Sequence, residues 1–264
     1  MGKKIAIIGG GNLGTAIAEG LLISKFSKAG DIIVTKRNVS TLQSLKDAGI
    51  QVSSDNAAAV KKSEVIILAV KPFQVTEVLN GIKKELNENK VLISVVTGVA
   101  LSDMESIAGK KATFFRAMPN TAIAIRESMT CICNKDADAA TVKYVNELFS
   151  KLGKVVTIDE KLMDASTILG ACGTAYAMRY IRASIQGGIE IGFDATTASL
   201  IAAQTVKGAA ELLLQKGTHP EQEIDKVTTP KGCTIAGLNE MEHQGFSSSL
   251  IKGIVASYKK IAKD

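Results

Sequence analysis

The glycine-rich stretch at residues 9–14 constrains the fold more than any other feature of this chain. It follows an apolar run at residues 5–8 and precedes a run at 15–23 with helical spacing, so it joins a predicted strand to a predicted helix. Three of its glycines have the G-x-G-x-x-G spacing of a turn that holds a dinucleotide pyrophosphate. The N–H groups and the dipole at the start of a helix favour the same anion. The three glycines of this motif are Gly9, Gly11 and Gly14. A glycine turn without a ligand is the simpler alternative.

The end of the second predicted strand, residues 31–35, indicates which dinucleotide this turn binds. About twenty residues after the fingerprint, an NAD-binding unit normally carries a carboxylate for the ribose hydroxyls. This chain has Thr35, Lys36 and Arg37 there, so two cations stand where the acid is expected. Arg grips a phosphate with two hydrogen bonds and Lys adds a point charge, which suits the 2′-phosphate of NADP. We therefore predict NADP(H) as the cofactor, with NAD(H) as a second option. A solvated basic loop is the alternative.

Apolar runs alternate with helical segments as far as about residue 159. Runs at 65–70, 91–96, 113–116, 128–133 and 154–158 predict buried strands, and the segments between them predict helices. This alternation predicts right-handed crossovers and a mostly parallel sheet, in a Rossmann-type domain over residues 1–159. The carboxyl ends of parallel strands face the ligand crevice, so we expect Ala69, Val70, Lys71, Pro72 and Thr97 to line it.

The strand pattern ends near residue 160. Segments at 162–187, 195–216 and 247–263 have apolar residues at helical spacing, so an all-α domain over residues 160–264 is predicted. About 100 residues in a few long helices would bury their apolar faces poorly, which favours packing against a second copy. We therefore predict a homo-oligomer, a dimer or a multiple of dimers, and a monomeric helical cap is the alternative.

The loop at residues 227–234 is the second candidate site. Its threonines, Gly232 and a helix starting near Thr234 would present N–H donors to a carboxylate-sized anion. A plain helix cap after a turn is an equally good interpretation.

Composition and residue spacing argue against nucleic-acid-binding, metal-binding and membrane proteins. The net charge of +6 suits an anionic ligand, but scattered lysines and 4% aromatic residues argue against a nucleic-acid partner. The four cysteines form no C-x-x-C pair and the two histidines have no second ligand nearby, so no metal site is expected. No apolar run reaches the roughly 18 residues of a membrane span. We expect a cytoplasmic protein with reduced thiols and no membrane partner.

At this point the chain resembles the pyrroline-5-carboxylate reductase family nearly from end to end. The matching pieces, in order, are residues 9–14, Asn56, 69–72, 118–121, Gly173 with 175–176, and 229–230 with Gly232 and Thr234 before 245–246. Each is ordinary alone, and their order and spacing together are specific.

The resemblance implies an NADPH-dependent reduction of a cyclic imine, 1-pyrroline-5-carboxylate, to L-proline, by a Rossmann domain followed by a helical dimerisation domain. It also implies roles. The pyrophosphate would be held by Gly9, Gly11, Asn12, Leu13 and Gly14. Lys36, Arg37 and Asn56 would hold the adenosine ribose and its phosphate, and residues 69–72 with Thr97 the nicotinamide side. Thr229, Gly232, Cys233, Thr234 and Asn120 would bind the substrate, with the N–H groups of Gly232 and Cys233 on its carboxylate. Thr234, whose hydroxyl would lie near the ring nitrogen, is the predicted catalytic residue.

Three departures from the family pattern concern the imine pocket. Phe73 replaces the usual histidine, Lys231 replaces a glycine, and residues 170–176 read Gly-Ala-Cys-Gly-Thr-Ala-Tyr in place of Ser-Gly-Ser-Gly-Pro-Ala-Tyr. They bear on the choice of substrate and not on the cofactor.

Two rival functions are open at this stage. A related NADP-dependent reductase could act on another imine or small acid, although a β-hydroxyacid dehydrogenase would need an interior lysine where helix 162–187 offers only Arg179 and Arg182. A nucleotide sensor without turnover is the second, but no additional interaction module is visible.

Overall fold

The computed structural model describes residues 2–109 and 111–262. The chain divides into two compact units, Met1–Cys172 and Gly173–Asp264. The domain boundary predicted between residues 159 and 160 falls inside the first unit, since Met163 is buried in its core. Residues 160–172 therefore belong to the first unit by their contacts.

The first unit contains one sheet of eight strands in the order β3-β2-β1-β4-β5-β6-β7-β8. Neighbouring strands are parallel except β6 and β7, which are antiparallel. The strands are β1 (Ile5–Ile8), β2 (Ile32–Thr35), β3 (Gln51–Ser53), β4 (Val65–Leu68), β5 (Val91–Ser94), β6 (Thr113–Met118), β7 (Ser128–Asn134) and β8 (Gly153–Thr157).

The helices of this unit lie on both faces of the sheet, as the predicted crossovers require. They are α1 (Asn12–Ile23), α2 (Gln43–Asp47), α3 (Asn56–Lys61), α4 (Val75–Ile82), α5 (Leu101–Ala108), α6 (Ala139–Ser150) and α7 (Met163–Ser166). Residues of β1 alternate between two cores, with Ile5 and Ile7 in one and Ala6 and Ile8 in the other. The apolar strands are thus buried on both sides, which confirms the predicted Rossmann-type, mostly parallel fold.

The antiparallel strand β7 is explained by the length of the connection before it. Only residues 119–127 separate β6 from β7, and they form a 3-10 turn, Thr121–Ile125, followed by Arg126 with φ of +61°. A parallel return needs a crossover of a dozen or more residues, so this short link can only reverse the chain.

The long helix predicted over 162–187 is interrupted in the structure. The α-helical hydrogen bonds give way to a π-helical turn at Thr167–Cys172, and α8 (Gly173–Glu190) follows. The hydroxyls of Ser166 and Thr167 both donate to the Met163 carbonyl, at 2.8 and 2.9 Å. Such side-chain bonds compete with the helical ladder, which accounts for the disturbance.

The second unit is all helical in its described residues. Its helices are α8, α9 (Ala195–Lys216), α10 (Pro220–Lys226), α11 (Cys233–His243) and α12 (Phe246–Ala262). Helix α9 has the predicted bounds, whereas α10 was not predicted, because seven residues carry too little periodicity. Among the described residues of this unit, only Ala198 and Ala202 are buried. The apolar faces therefore stay largely uncovered within one chain. None of the described helices is long and apolar enough to span a membrane.

Candidate functional site

A cleft of about 1020 Å³ lies in the first unit, where several strands end. The register places Ile8 between Thr35 and Leu68, so β1, β2 and β4 end level with one another. The residues that follow these ends form the cleft wall. The predicted site residues that line it are Gly9, Gly11, Asn12, Leu13, Thr35, Lys36, Arg37, Asn56, Ala69, Val70, Lys71 and Asn120.

Three predicted cofactor residues do not line this cleft. Gly14 lies inside the fold, where an added Cβ would come within 2.0 Å of the Gly9 carbonyl oxygen. Pro72 is exposed at the start of a 3-10 turn, and Thr97 lies in the turn after β5. Val95 lines the cleft in place of Thr97, because β5 ends at Ser94, two residues earlier than predicted.

The glycine turn is held against the end of β2. The N–H groups of Gly9 and Gly10 both donate to the Thr35 carbonyl, at 3.1 and 2.7 Å. Gly9 has φ of +112°, and a Cβ there would lie 2.3 Å from the Ala69 carbonyl oxygen. By contrast, a Cβ at Gly11 would meet nothing within 4 Å. Gly9 and Gly14 thus satisfy packing, whereas Gly11 leaves the backbone open towards the cleft.

The start of α1 carries free hydrogen-bond donors. Gly11 is the N-cap without a side-chain cap, and no acidic residue lies in the first turn. Within residues 2–109 and 111–262, the N–H groups of Gly11, Asn12 and Leu13 have no acceptor. Unpaired donors at a helix start bind an anion. The turn therefore fits the pyrophosphate of a dinucleotide.

The basic pair lies beside this turn. Lys36 is held by its N–H, which donates to the Ser53 carbonyl at 3.0 Å. The Arg37 guanidinium is 80% exposed and lies 3.9 Å from the carboxylate of Glu77, which also lines the cleft. The Thr35 hydroxyl is buried and has no hydrogen-bond partner in the described part of the chain. The open Arg37 guanidinium fits a phosphorylated ribose.

Sequence reasoning missed two groups of cleft residues. Gln74, Glu77 and Val78 come from the turn after Lys71 and from α4, on the far wall of the cleft. Pro119 and Thr121 follow β6, and Ala171 comes from the π-turn. Pro119 and Thr121 could have been found from the rule used for β4, because β6 is another strand that ends at the crevice and is parallel to β5.

The loop before α11 presents a second set of open donors. Gly232 is the N-cap of α11 without a side-chain cap, and no acidic residue lies in the first turn. In the described chain, the N–H groups of Cys233 and Thr234 have no acceptor. The expectation that the Gly232 N–H is also free is wrong, because it donates to the Thr229 carbonyl at 2.9 Å. This bond closes the turn, and Thr229 thus shapes the loop through its main chain.

Lys231 has φ of +60°, in the left-handed region. Glycine adopts this conformation without steric cost, whereas other residues adopt it rarely. The position at which Lys231 departs from the family's usual glycine is therefore one where the backbone itself favours glycine.

The structure contains no metal site in its described residues, where no cluster of three or more His, Cys, Asp or Glu side chains occurs. The cysteines are free thiols, and Cys131 and Cys133 are buried. Burial raises the pKa of the Cys133 thiol to about 11, with the Glu160 carboxylate adding to the shift. This thiol stays protonated near neutral pH and is not a nucleophile.

Two family models match this chain. The one described as pyrroline-5-carboxylate reductase dimerisation matches residues 160–264. The one described as NADP oxidoreductase, coenzyme F420-dependent, matches residues 4–98.

Known proteins match over nearly the whole chain. Pyrroline-5-carboxylate reductase 2 of Dictyostelium discoideum is 45% identical over 277 residues, covering 99% of this chain and 93% of the relative. The chain belongs to the pyrroline-5-carboxylate reductase family. Pyrroline-5-carboxylate reductase 1 of the same organism is 48% identical over 98% of this chain, although the chain spans only 49% of that relative's length.

Solved structures of this family have the same fold. The crystal structure of the Plasmodium falciparum pyrroline carboxylate reductase with NADP bound has a TM-score of 0.87 and 28% identity, covering 98% of this chain and 97% of that one. The predicted family, fold class and oxidoreductase class are confirmed. The NADP oxidoreductase model over residues 4–98 also confirms the predicted cofactor class.

Proposed function

We propose that this chain reduces 1-pyrroline-5-carboxylate to L-proline with NADPH, as the last step of proline synthesis. The observation that carries the proposal is the cleft, in which free N–H donors at the start of α1 lie with Lys36 and the exposed Arg37. Family membership over nearly the whole chain supplies the substrate class.

The sheet order supports one orientation of the cofactor. The basic pair follows β2, the glycine turn follows β1, and the remaining cleft walls follow β4, β5 and β6 in succession. Adjacent strands lie about 4.8 Å apart, so these features are spread along the crevice in that order. We place the 2′-phosphate at Lys36 and Arg37, the pyrophosphate at residues 9–14, and the nicotinamide beyond Ala69.

When bound, NADPH supplies the hydride for the imine carbon. The chain then has to hold the imine in place and keep its nitrogen protonated. A protonated imine is already electrophilic, so positioning carries most of the rate, roughly 7–11 kcal/mol in favourable cases. We propose that the N–H groups of Cys233 and Thr234 bind the substrate carboxylate. The Thr234 hydroxyl lies near the ring nitrogen in this proposal, where it orients the proton and passes it on through water.

We propose that the working form is a homodimer or a multiple of dimers. In the second unit the side chains of Ile191, Leu200 and Leu214 are between 66 and 77% exposed. Apolar surface of this kind is normally covered by a partner. The family model matched over residues 160–264 is named for dimerisation, which supports the same assembly. We also propose the cytoplasm as the compartment, which the free thiols support.

The proposed reaction is tested by following NADPH absorbance with the purified chain and the cyclic imine. We expect oxidation of NADPH and formation of proline in equal amounts, with NADH used less well. A nucleotide sensor would bind NADPH without oxidising it. Turnover with other imines or small acids, and none with this one, would favour the related-reductase alternative.

Replacing Thr234 with valine tests its proposed role in the proton step. Valine keeps the branched shape and loses the hydroxyl, so we expect kcat/KM for the imine to fall about tenfold to a hundredfold, the worth of one hydrogen bond to a charged group. The Kd for NADPH, measured by fluorescence titration, should not change. Thr228→Val is a matched control in the same loop, because the Thr228 hydroxyl already donates to the Ile224 carbonyl. An equal loss of NADPH binding in the Thr234 variant would contradict the role.

A further inference from the structure

Asn120 uses most of its hydrogen-bonding capacity on the protein itself. Its Oδ1 accepts from the Ala122 N–H at 3.0 Å, and its Nδ2 donates to the Gly170 carbonyl at 3.2 Å. Its own N–H donates to Ser128 Oγ at 3.1 Å. One N–H of the amide is left for a ligand.

The carbonyl that Asn120 binds belongs to the π-turn, Thr167–Cys172. A π-turn shifts the register of the helical bonds, and such turns are frequent at functional sites. Here the residue after Gly170 is Ala171, which lines the cleft. Asn120 is therefore the link between the loop after β6 and the turn that carries this part of the cleft wall.

Asn120 is itself held by a buried hydroxyl of β7, which contacts a second one. Ser128 is 1% exposed, and its hydroxyl contacts the hydroxyl of Thr130 at 3.2 Å. Neither hydroxyl lines the cleft. Asn120 thus lies on a chain of hydrogen bonds that runs from β7, inside the sheet, to the π-turn.

We propose that Asn120 is a positioning residue, which fixes the π-turn and Ala171 at the nicotinamide end of the cleft, and that it is not a substrate ligand. The proposal rests on the proposed function and departs from the role that the family resemblance implies for Asn120. Asn120 follows β6, while the basic pair and the glycine turn follow β2 and β1. Its loss should therefore affect the orientation of the nicotinamide and leave the affinity for the dinucleotide intact.

The test variant is Asn120→Asp. Aspartate keeps an oxygen for the Ala122 N–H, but it has no donor for the Gly170 carbonyl and places a second oxygen against it. We expect kcat to fall about tenfold to fiftyfold and the Kd for NADPH to stay within threefold. The primary isotope effect with deuterated NADPH should increase, because hydride transfer becomes slower than the other steps.

A readout without cofactor tests the link directly. In the cofactor-free protein, amide hydrogen exchange of residues 168–172 should be faster in Asn120→Asp than in the wild type. Asn134→Asp is the matched control, since Asn134 caps the Ala137 N–H in the same way at 3.1 Å and does not line the cleft. It should change neither the exchange of residues 168–172 nor kcat.

Ser128→Ala provides a second variant in case Asn120→Asp does not fold. It removes the acceptor for the Asn120 N–H without touching the cleft, and a smaller fall in kcat with unchanged Kd is expected. Unchanged exchange and kcat in the folded variants would overturn the proposal. So would a rise in KM for the imine alone, since that would identify Asn120 as a substrate ligand. Absence of turnover in the wild type would instead overturn the proposed function.

Discussion

Replacing Arg37 with aspartate is expected to abolish the preference for NADPH over NADH. The variant loses a charge-assisted contact worth about 1.5–3 kcal/mol and gains a repulsive charge facing the 2′-phosphate. We expect kcat/KM with NADPH to fall about a hundredfold, while kcat/KM with NADH changes by less than about threefold. Steady-state rates with both cofactors at one ionic strength measure the ratio.

Glu77 provides the control for this prediction, because it lies 3.9 Å from Arg37 and carries the opposite charge. Both side chains are more than three quarters exposed, so their interaction is worth little, about 0.2–1 kcal/mol. Glu77→Gln should raise the preference for NADPH about twofold at low salt, and 0.5 M salt should remove the gain. Unchanged discrimination in Arg37→Asp would exclude Arg37 from the cofactor site.

Replacing Gly11 with valine is expected to weaken NADPH binding by at least about a hundredfold while the protein still folds. Gly11 has φ of −82° and open space where a Cβ would stand, so the side chain is not strained. It would occupy the place where the backbone approaches the pyrophosphate. Valine caps a helix less well than glycine, which costs about 1 kcal/mol of stability. Fluorescence titration and urea unfolding followed by circular dichroism measure the two effects.

Gly14→Ala, in the same motif, should mainly lower the stability of the fold, whereas Gly11→Val should mainly lower NADPH affinity. Its Cβ would lie 2.0 Å from the Gly9 carbonyl oxygen, a backbone atom that cannot easily move. We expect a loss of about 1–3 kcal/mol in the free energy of unfolding, or failure to fold. If Gly11→Val unfolded the chain and Gly14→Ala did not, the assignment of the two glycines would be reversed.

Most of the nucleotide half of the cleft could be predicted from the sequence. Gly9 and Lys36 come directly after a predicted strand, Ala69 lies at the end of another, and the ends of parallel strands meet at one edge of a sheet. This rule about strand ends needs only the order of the strands. It does not predict which residues form the opposite wall of the cleft, because Glu77 and Ala171 reach the cleft from helical segments whose placement depends on packing.

The strand, turn and helix at the N-terminus, the parallel character of most of the sheet and the helical second half are determined by the sequence itself. These features follow from local periodicity and from the spacing of glycines, which need no distant contact. The reversal at β7, the π-turn, the link from Asn120 to Gly170 and the closed Gly232 turn appear only in the tertiary structure. The reversal at β7 depends on where β6 ends and β7 begins, which sets the length of the link between them. The other three depend on which main-chain donor or acceptor a neighbour uses, and a pattern of residue types does not record those bonds.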